Sequence, residues 1–266
     1  MKKKVKVTLA VFFVLMISII FINSYFGSEL QDEIMEETGG EEEVKYLSEG
    51  LIGYYKFDGN AVESSSEENN GRIIGAEDIN GKIGRALEFG GNTEHDYVDL
   101  EQKEFLLQEF SLMVWVKPYN VAGRRNIISK HDEWFNFQLD EGKVSLSGKY
   151  PWREQILSEN SAEENKWYHV AAVRFLNGTA IVYLNGEKEG EGELPDLETN
   201  KQIEPLVIGS YDSGWADNFE GRIDEVRIYN KALTSEEIKK IYKISELKSS
   251  GITGAVIRSL RRMFTN

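Results

Sequence analysis

Between residues 50 and 229 the chain is a succession of short apolar runs cut by Gly, Asn and Asp. This punctuation limits the fold more than any other feature, because such runs are long enough for strands and too short for helices. The runs fall at 52–57, 85–89, 97–100, 110–117, 126–130, 135–140, 143–147, 167–175, 180–184, 206–209 and 221–229, and they are rich in β-branched and aromatic residues. Asp140-Glu141-Gly142, Asn177-Gly178 and Asn185-Gly186 separate neighbouring runs at hairpin spacing. Within 110–117, Phe110, Leu112, Val114 and Val116 fall on one face, and Ser111, Met113, Trp115 and Lys117 on the other. One helix is predicted, at 235–242, where Thr234 is the N-cap and Glu237 completes a capping box. Many short strands without interleaved helices indicate an antiparallel sandwich or barrel.

Five segments carry a family resemblance, in order along the chain. They are Gly53-Tyr54-Tyr55-Lys56-Phe57-Asp58-Gly59-Asn60, Phe110-Ser111-Leu112-Met113-Val114-Trp115-Val116-Lys117-Pro118, Lys166-Trp167-Tyr168-His169-Val170-Ala171, Val182-Tyr183-Leu184-Asn185-Gly186, and the closing Gly221-Arg222-Ile223-Asp224-Glu225-Val226-Arg227-Ile228-Tyr229. Over residues 50–243 the chain resembles the laminin-G-like, concanavalin A-like lectin/glucanase domains. The resemblance implies an all-β, antiparallel jelly-roll β-sandwich with one short C-terminal helix. It leaves function open, because such folds host lectins, adhesion modules and enzymes.

The net charge of −14 excludes nucleic acid as a partner, since phosphate binding needs a dense Lys/Arg field. The absence of cysteine removes disulfides, thiolate metal sites and cysteine nucleophiles together. The three histidines, His95, His131 and His169, do not stand at i, i+4, so a zincin-type site is excluded as well.

The two ends read differently from the middle. Lys2, Lys3, Lys4 and Lys6 precede an apolar run over 7–22, and no small-residue cleavage triplet follows it. Residues 1–27 are therefore read as an N-terminal transmembrane helix, an uncleaved anchor rather than a removed signal peptide, which places the rest of the chain outside the cell membrane. Residues 28–49 are acidic and read as an extended stalk. Residues 244–266 combine Lys248, Arg258, Arg261 and Arg262 with Ile252, Val256, Leu260 and Met263 at helical spacing. They read either as a basic amphipathic tail lying on an anionic membrane or as a helix docked on the acidic domain.

Three chemistries bear on the acidic and aromatic residues of the domain. A glucanase of this fold needs carboxylates on alternate positions of one strand, and no such triplet occurs. Asp224 and Glu225 are neighbours and point to opposite faces unless a bulge re-aims them. For the metal reading, Asp224 shares strand parity with Val226 and Ile228, and an acidic residue in an apolar row needs a partner. A structural Ca²⁺ held by Asp58, Asn60 and Asp224 with further oxygens, from Asn70 among others, answers that need. An ion pair of Asp224 with Arg85 or Arg222 answers it too. For the binding reading, Trp134, Trp152 and Trp215 stand in loops beside polar residues such as Asp212 and Asn218, a composition suited to stacking on sugar. Trp115 and Trp167 stand inside strands and read as core. The expectation is a membrane-anchored binding module for a glycan or cell-surface protein. The alternatives are a glycoside hydrolase with dispersed carboxylates and a structural envelope protein.

Overall fold

The structure is a computed structural model, and it describes residues 48–65, 70–91, 95–100, 108–130, 135–148, 154–194, 206–211 and 217–250. The predicted N-terminal anchor, the stalk to residue 47 and the tail from 251 lie outside these residues. Among the described residues no helix is long and apolar enough to cross a membrane.

Among the described residues, fifteen strands form two antiparallel sheets. The first sheet runs β13 (Glu187–Glu193), β12 (Thr179–Leu184), β11 (Tyr168–Arg174), β6 (Phe110–Pro118), β15 (Glu220–Tyr229), β4 (Arg85–Gly90) and β3 (Glu77–Asn80), with β1 (Leu51–Tyr55) also paired to β15. The second runs β10 (Gln155–Ser161), β9 (Lys143–Ser147), β8 (Phe135–Asp140), β7 (Arg124–Lys130), β14 (Leu206–Ile208), β5 (Tyr97–Asp99) and β2 (Arg72–Ile74). The helix α1 (Ser235–Ser249) follows the last strand.

The core lies between the two sheets. Phe110, Leu112, Val114 and Val116 of β6 face Phe135, Phe137 and Leu139 of β8 and Val144 and Leu146 of β9 within one apolar cluster. The alternation read from β6 therefore holds, and its second face is buried as well. Met113 joins Ala171, Val173, Tyr183, Tyr229, Ile238 and Ile241 in a separate cluster beneath α1. The first sheet is thus covered on both faces, which is why its central strands are apolar at nearly every position.

The capping box is present. Thr234 Oγ1 accepts the Glu237 backbone N–H at 3.2 Å, and the Glu237 carboxylate accepts the Thr234 N–H at 2.7 Å. The helix extends past the expected 242 to Ser249. Ser245 hid this extension, since it breaks the apolar period on the buried face. It is there to accept the Trp115 indole N–H at 3.0 Å.

Candidate functional site

The outer face of the second sheet is polar. In β8, Phe135, Phe137 and Leu139 enter the core, so Asn136, Gln138 and Asp140 point away from it. In β9, Val144 and Leu146 point inward, and Ser145 and Ser147 outward. The register aligns these residues into rows. Val207, Ser129, Asn136, Ser147 and Gln155 are successive partners across β14, β7, β8, β9 and β10, and Asn126, Gln138 and Ser145 form a parallel row.

Local hydrogen bonds fix the face. The Ser129 hydroxyl lies against the carbonyls of Ser210 (2.6 Å) and Tyr211 (3.0 Å). The Gln155 amide donates to Asp140 Oδ2 (2.6 Å) and to Ser145 Oγ (2.9 Å). Asn126 donates its backbone N–H to the Asp217 carbonyl at 2.7 Å. Two acceptors are left over, since Asn126 Oδ1 and Asn136 Oδ1 are buried without a hydrogen-bond partner. Amides and hydroxyls both donate and accept, as sugar hydroxyls require.

Of the residues expected to bind ligand, Trp134, Trp152, Asp212 and Trp215 lie outside the described residues. Described residues flank the segments that hold them. Trp134 directly precedes Phe135, and the segment holding Trp152 joins Ser147 to Gln155. Lys130 pairs with Phe135, Asn136 with Ser147, and Ser147 with Gln155, so both segments leave from one end of the sheet. Asp212 follows Tyr211, whose carbonyl rests on Ser129 in the middle of the face. Asn218 is buried, forms a bridge with Asn126, and donates to the Gly91 carbonyl at 3.5 Å. The polar rows themselves were missed in the sequence. The signal was the alternation of Asn136 and Gln138 with Phe135, Phe137 and Leu139, which reads equally well as an ordinary solvent face.

Of the residues expected to hold calcium, Asp58 and Asp224 meet at the turn between β3 and β4. Asp224 Oδ2 accepts the backbone N–H groups of Lys82 (2.8 Å) and Ile83 (2.9 Å). Asp58 Oδ1 accepts the Arg85 N–H at 2.9 Å. The turn runs so close that a Cβ at Gly81 would stand 2.6 Å from Asp224 Oδ2, and one at Gly84 would collide with Asp58 Oδ1. Asn60 Oδ1 accepts the Val62 N–H at 2.9 Å, and Asn70 Oδ1 accepts the Glu63 N–H at 3.0 Å. Calcium takes about six to eight oxygens. Among the described residues no three His, Cys, Asp or Glu side chains gather as a metal site. Of these carboxylates, only Asp224 Oδ1 is a buried oxygen with no donor. The described donor set does not complete a calcium shell.

A bulge changes the reading of Asp224. The register between β15 and β6 shifts between Asp224 and Arg227, and Glu225 has a φ of 54°. The bulge sits where β4, paired to 220–223, gives way to β1, paired to 226–229. Val226 and Ile228 remain in the core, while Asp224 pairs with Trp115 on the outer face. The expected shared parity therefore fails. The Arg partners expected for Asp224 fail with it, because Arg85 binds Asp78 (2.6 Å) and Arg222 binds Glu88 (2.8 Å). Burial pushes the Asp224 carboxyl up to about 8, with the neighbouring Glu225 charge adding to the shift.

The same bulge brings two carboxylates close, as a hydrolase would need. Both are sealed, however, at 0% and 3% exposure. Glu225 Oε2 is held by the Tyr54 hydroxyl (2.6 Å) and Arg227 (2.7 Å), with the Arg227 guanidinium 4.1 Å over the Tyr54 ring.

Two stacked antiparallel sheets, one with a polar outer face and the other roofed by a helix, define a lectin-type β-sandwich. The chain belongs to the concanavalin A-like lectin/glucanase superfamily, whose profile matches residues 91–239. It is similar in fold to domain 4 of AbnA, a GH43 extracellular arabinanase from Geobacillus stearothermophilus, solved in complex with arabinotriose. That likeness has a TM-score of 0.63 and 24% identity, and covers 72% of this chain and 98% of that one. It is also similar to the binding domain of Paraclostridial Mosquitocidal Protein 1, with a TM-score of 0.60 and 16% identity over 74% of this chain and 52% of that one. The Botulinum-like toxin eBoNT/J of Enterococcus sp. (strain 3G1_DIV0629) is 22% identical over 188 residues, which is 65% of this chain. The chain spans 14% of that toxin's length.

Proposed function

We propose that this chain is a non-catalytic carbohydrate-binding module. Its site is the polar outer face of the second sheet, completed by the segments carrying Trp134, Trp152 and Trp215. The observation that carries the reading is the paired rows of amides and hydroxyls on β7, β8 and β9, with Asn126 Oδ1 and Asn136 Oδ1 left without donors. A face meant only for water has no need to bury unmet acceptors. The AbnA domain solved with arabinotriose supports the ligand class, and the likeness to the binding domain of Paraclostridial Mosquitocidal Protein 1 supports a binding role. Asp224 is taken up by backbone amides and Glu225 by Tyr54 and Arg227, which speaks against hydrolysis at that pair. Residues 1–27 tether the module to the membrane, and residues 28–49 hold it away from the surface.

A glycan array probed with the wild-type chain, Trp134→Ala and Trp215→Ala tests this. Binding by the wild type and its loss in both variants, with unchanged melting temperatures, is the expected result. Binding retained by both variants, or turnover of a polysaccharide panel, would refute it.

A further inference from the structure

One buried histidine has no part in the binding reading. His169, on β11 beneath α1, is fully buried, and neither ring nitrogen has a hydrogen-bond partner. A neutral imidazole carries one donor and one acceptor, and leaving both unmet is costly. Its ring centroid lies 5.4 Å from Trp115 and 5.6 Å from Tyr242 of α1, and those two rings are 5.8 Å apart. The three rings form a closed triangle with the helix as one side.

Two contacts hold that side down. The Trp115 indole donates to Ser245 at 3.0 Å, and Lys82 pairs with Glu246 at 2.7 Å while lying 4.4 Å over the Trp115 ring. The approach is close, since a Cβ at Gly186 would stand 2.8 Å from the Tyr242 ring.

The elements packed near the triangle carry charged groups. The β3–β4 turn brings Lys82; β15 brings Asp224, Glu225 and Arg227; β13 brings Glu187 and Lys188; and α1 brings Lys239, Lys243, Glu246 and Lys248. The carboxylates are already engaged. Glu225 holds Arg227 and Tyr54, Asp224 holds backbone amides, Glu246 holds Lys82, and Glu187 holds Lys239 at 2.6 Å. None accepts from the imidazole.

We propose that His169 is an acid-sensitive latch, whose protonation drives the C-terminal half of α1, residues 241–249, off the outer face of the first sheet while the sandwich stays folded. The helix rests on a small cluster separate from the main core, so it opens at less cost than global unfolding.

The direction follows from the ring's surroundings. Burial first, and the Arg227 charge second, lower His169 from 6.5 to about 3. Lifting the helix returns the ring to water and to its ordinary value. Docking is therefore undisturbed above pH 6.5 and weakens as pH falls toward 3. At about pH 5 the docking constant drops about thirty-fold from its neutral value.

Hydrogen exchange of the full chain in detergent micelles, corrected for intrinsic rates, reads this opening. Between neutral pH and about pH 5, opening of 241–249 should rise about thirty-fold while β6 and β15 keep their protection. His169→Phe keeps an aromatic ring that takes no proton, and should flatten the response. Glu246→Gln removes the carboxylate that pairs with Lys82 while leaving the histidine in place, and should keep the response. Equal protection of the wild-type helix at both pH values, or an undiminished response in His169→Phe, overturns the proposal. If that variant does not fold, an NMR titration of the wild-type histidine rings decides. A His169 ring that titrates near its ordinary value with the helix docked overturns the latch. A ring that stays neutral until the helix lifts upholds it.

Discussion

The Tyr54 hydroxyl donates to the Glu225 carboxylate at 2.6 Å, joining the first strand of the sandwich to the last across 171 positions of sequence. Arg227 completes the unit from above the tyrosine ring. The bulge makes it possible, since with Ile223 and Val226 both in the core a regular strand would turn one of Asp224 and Glu225 inward.

Breaking this unit should cost more than its exposure suggests. Glu225→Ala leaves Arg227 as a buried cation without its carboxylate, a loss of about 3–5 kcal/mol. Tyr54→Phe removes one hydrogen bond to a charged group, about 1.5–3 kcal/mol. Urea unfolding of both variants measures the two losses, and equal losses would contradict the ranking.

Asp224 should show an inverted pH dependence. Its folded value is raised above 3.8 to about 8, so the native state holds a proton that the unfolded chain has released. Its contribution is fully present below 3.8 and is lost as pH rises through the folded value. Asp224→Asn is neutral throughout. Its stability relative to the wild type should therefore improve steadily as pH rises from about 5 to about 8. Thermal melts across that range check this, and a relative stability that falls with pH would show the carboxylate is ionised.

Calcium should do little at the β3–β4 turn. Asp58 and Asp224 already accept the Arg85, Lys82 and Ile83 amides, so a cation would have to displace donors. Titration of chelated protein with millimolar Ca²⁺ should give no heat and no change in melting temperature. A clear rise would mean that oxygens beyond these residues complete a shell.

The helix start offers a simpler check. Thr234→Ala removes the side-chain half of the capping box and should cost about 1 kcal/mol. Thr234→Ser should restore nearly all of it.

The core strands were legible because the core-facing positions of a central strand are apolar without interruption. The runs at 135–140 and 143–147 coincide with β8 and β9. The four strands absent from the sequence reading, β2, β3, β10 and β13, end the two main runs of paired strands. An edge strand has one neighbour and carries charge to discourage further pairing. β13, Glu-Lys-Glu-Gly-Glu-Gly-Glu, is the clearest case. The bulge at Glu225 was equally hidden, because its cause is a change of neighbouring strand, which is a matter of topology. The family itself was legible from five motifs, whereas the polar face was not. Asn136 and Gln138 gain meaning only when the register sets them beside Ser147 and Ser145.

The most direct measurement is a hydrogen-exchange footprint of a glycan selected on the array. The rows on β7, β8 and β9 place new protection in 124–147, with none gained in β11 or β12 on the opposite sheet. Protection centred on β11 and β12, or a bound glycan that leaves 124–147 unchanged, would contradict the account.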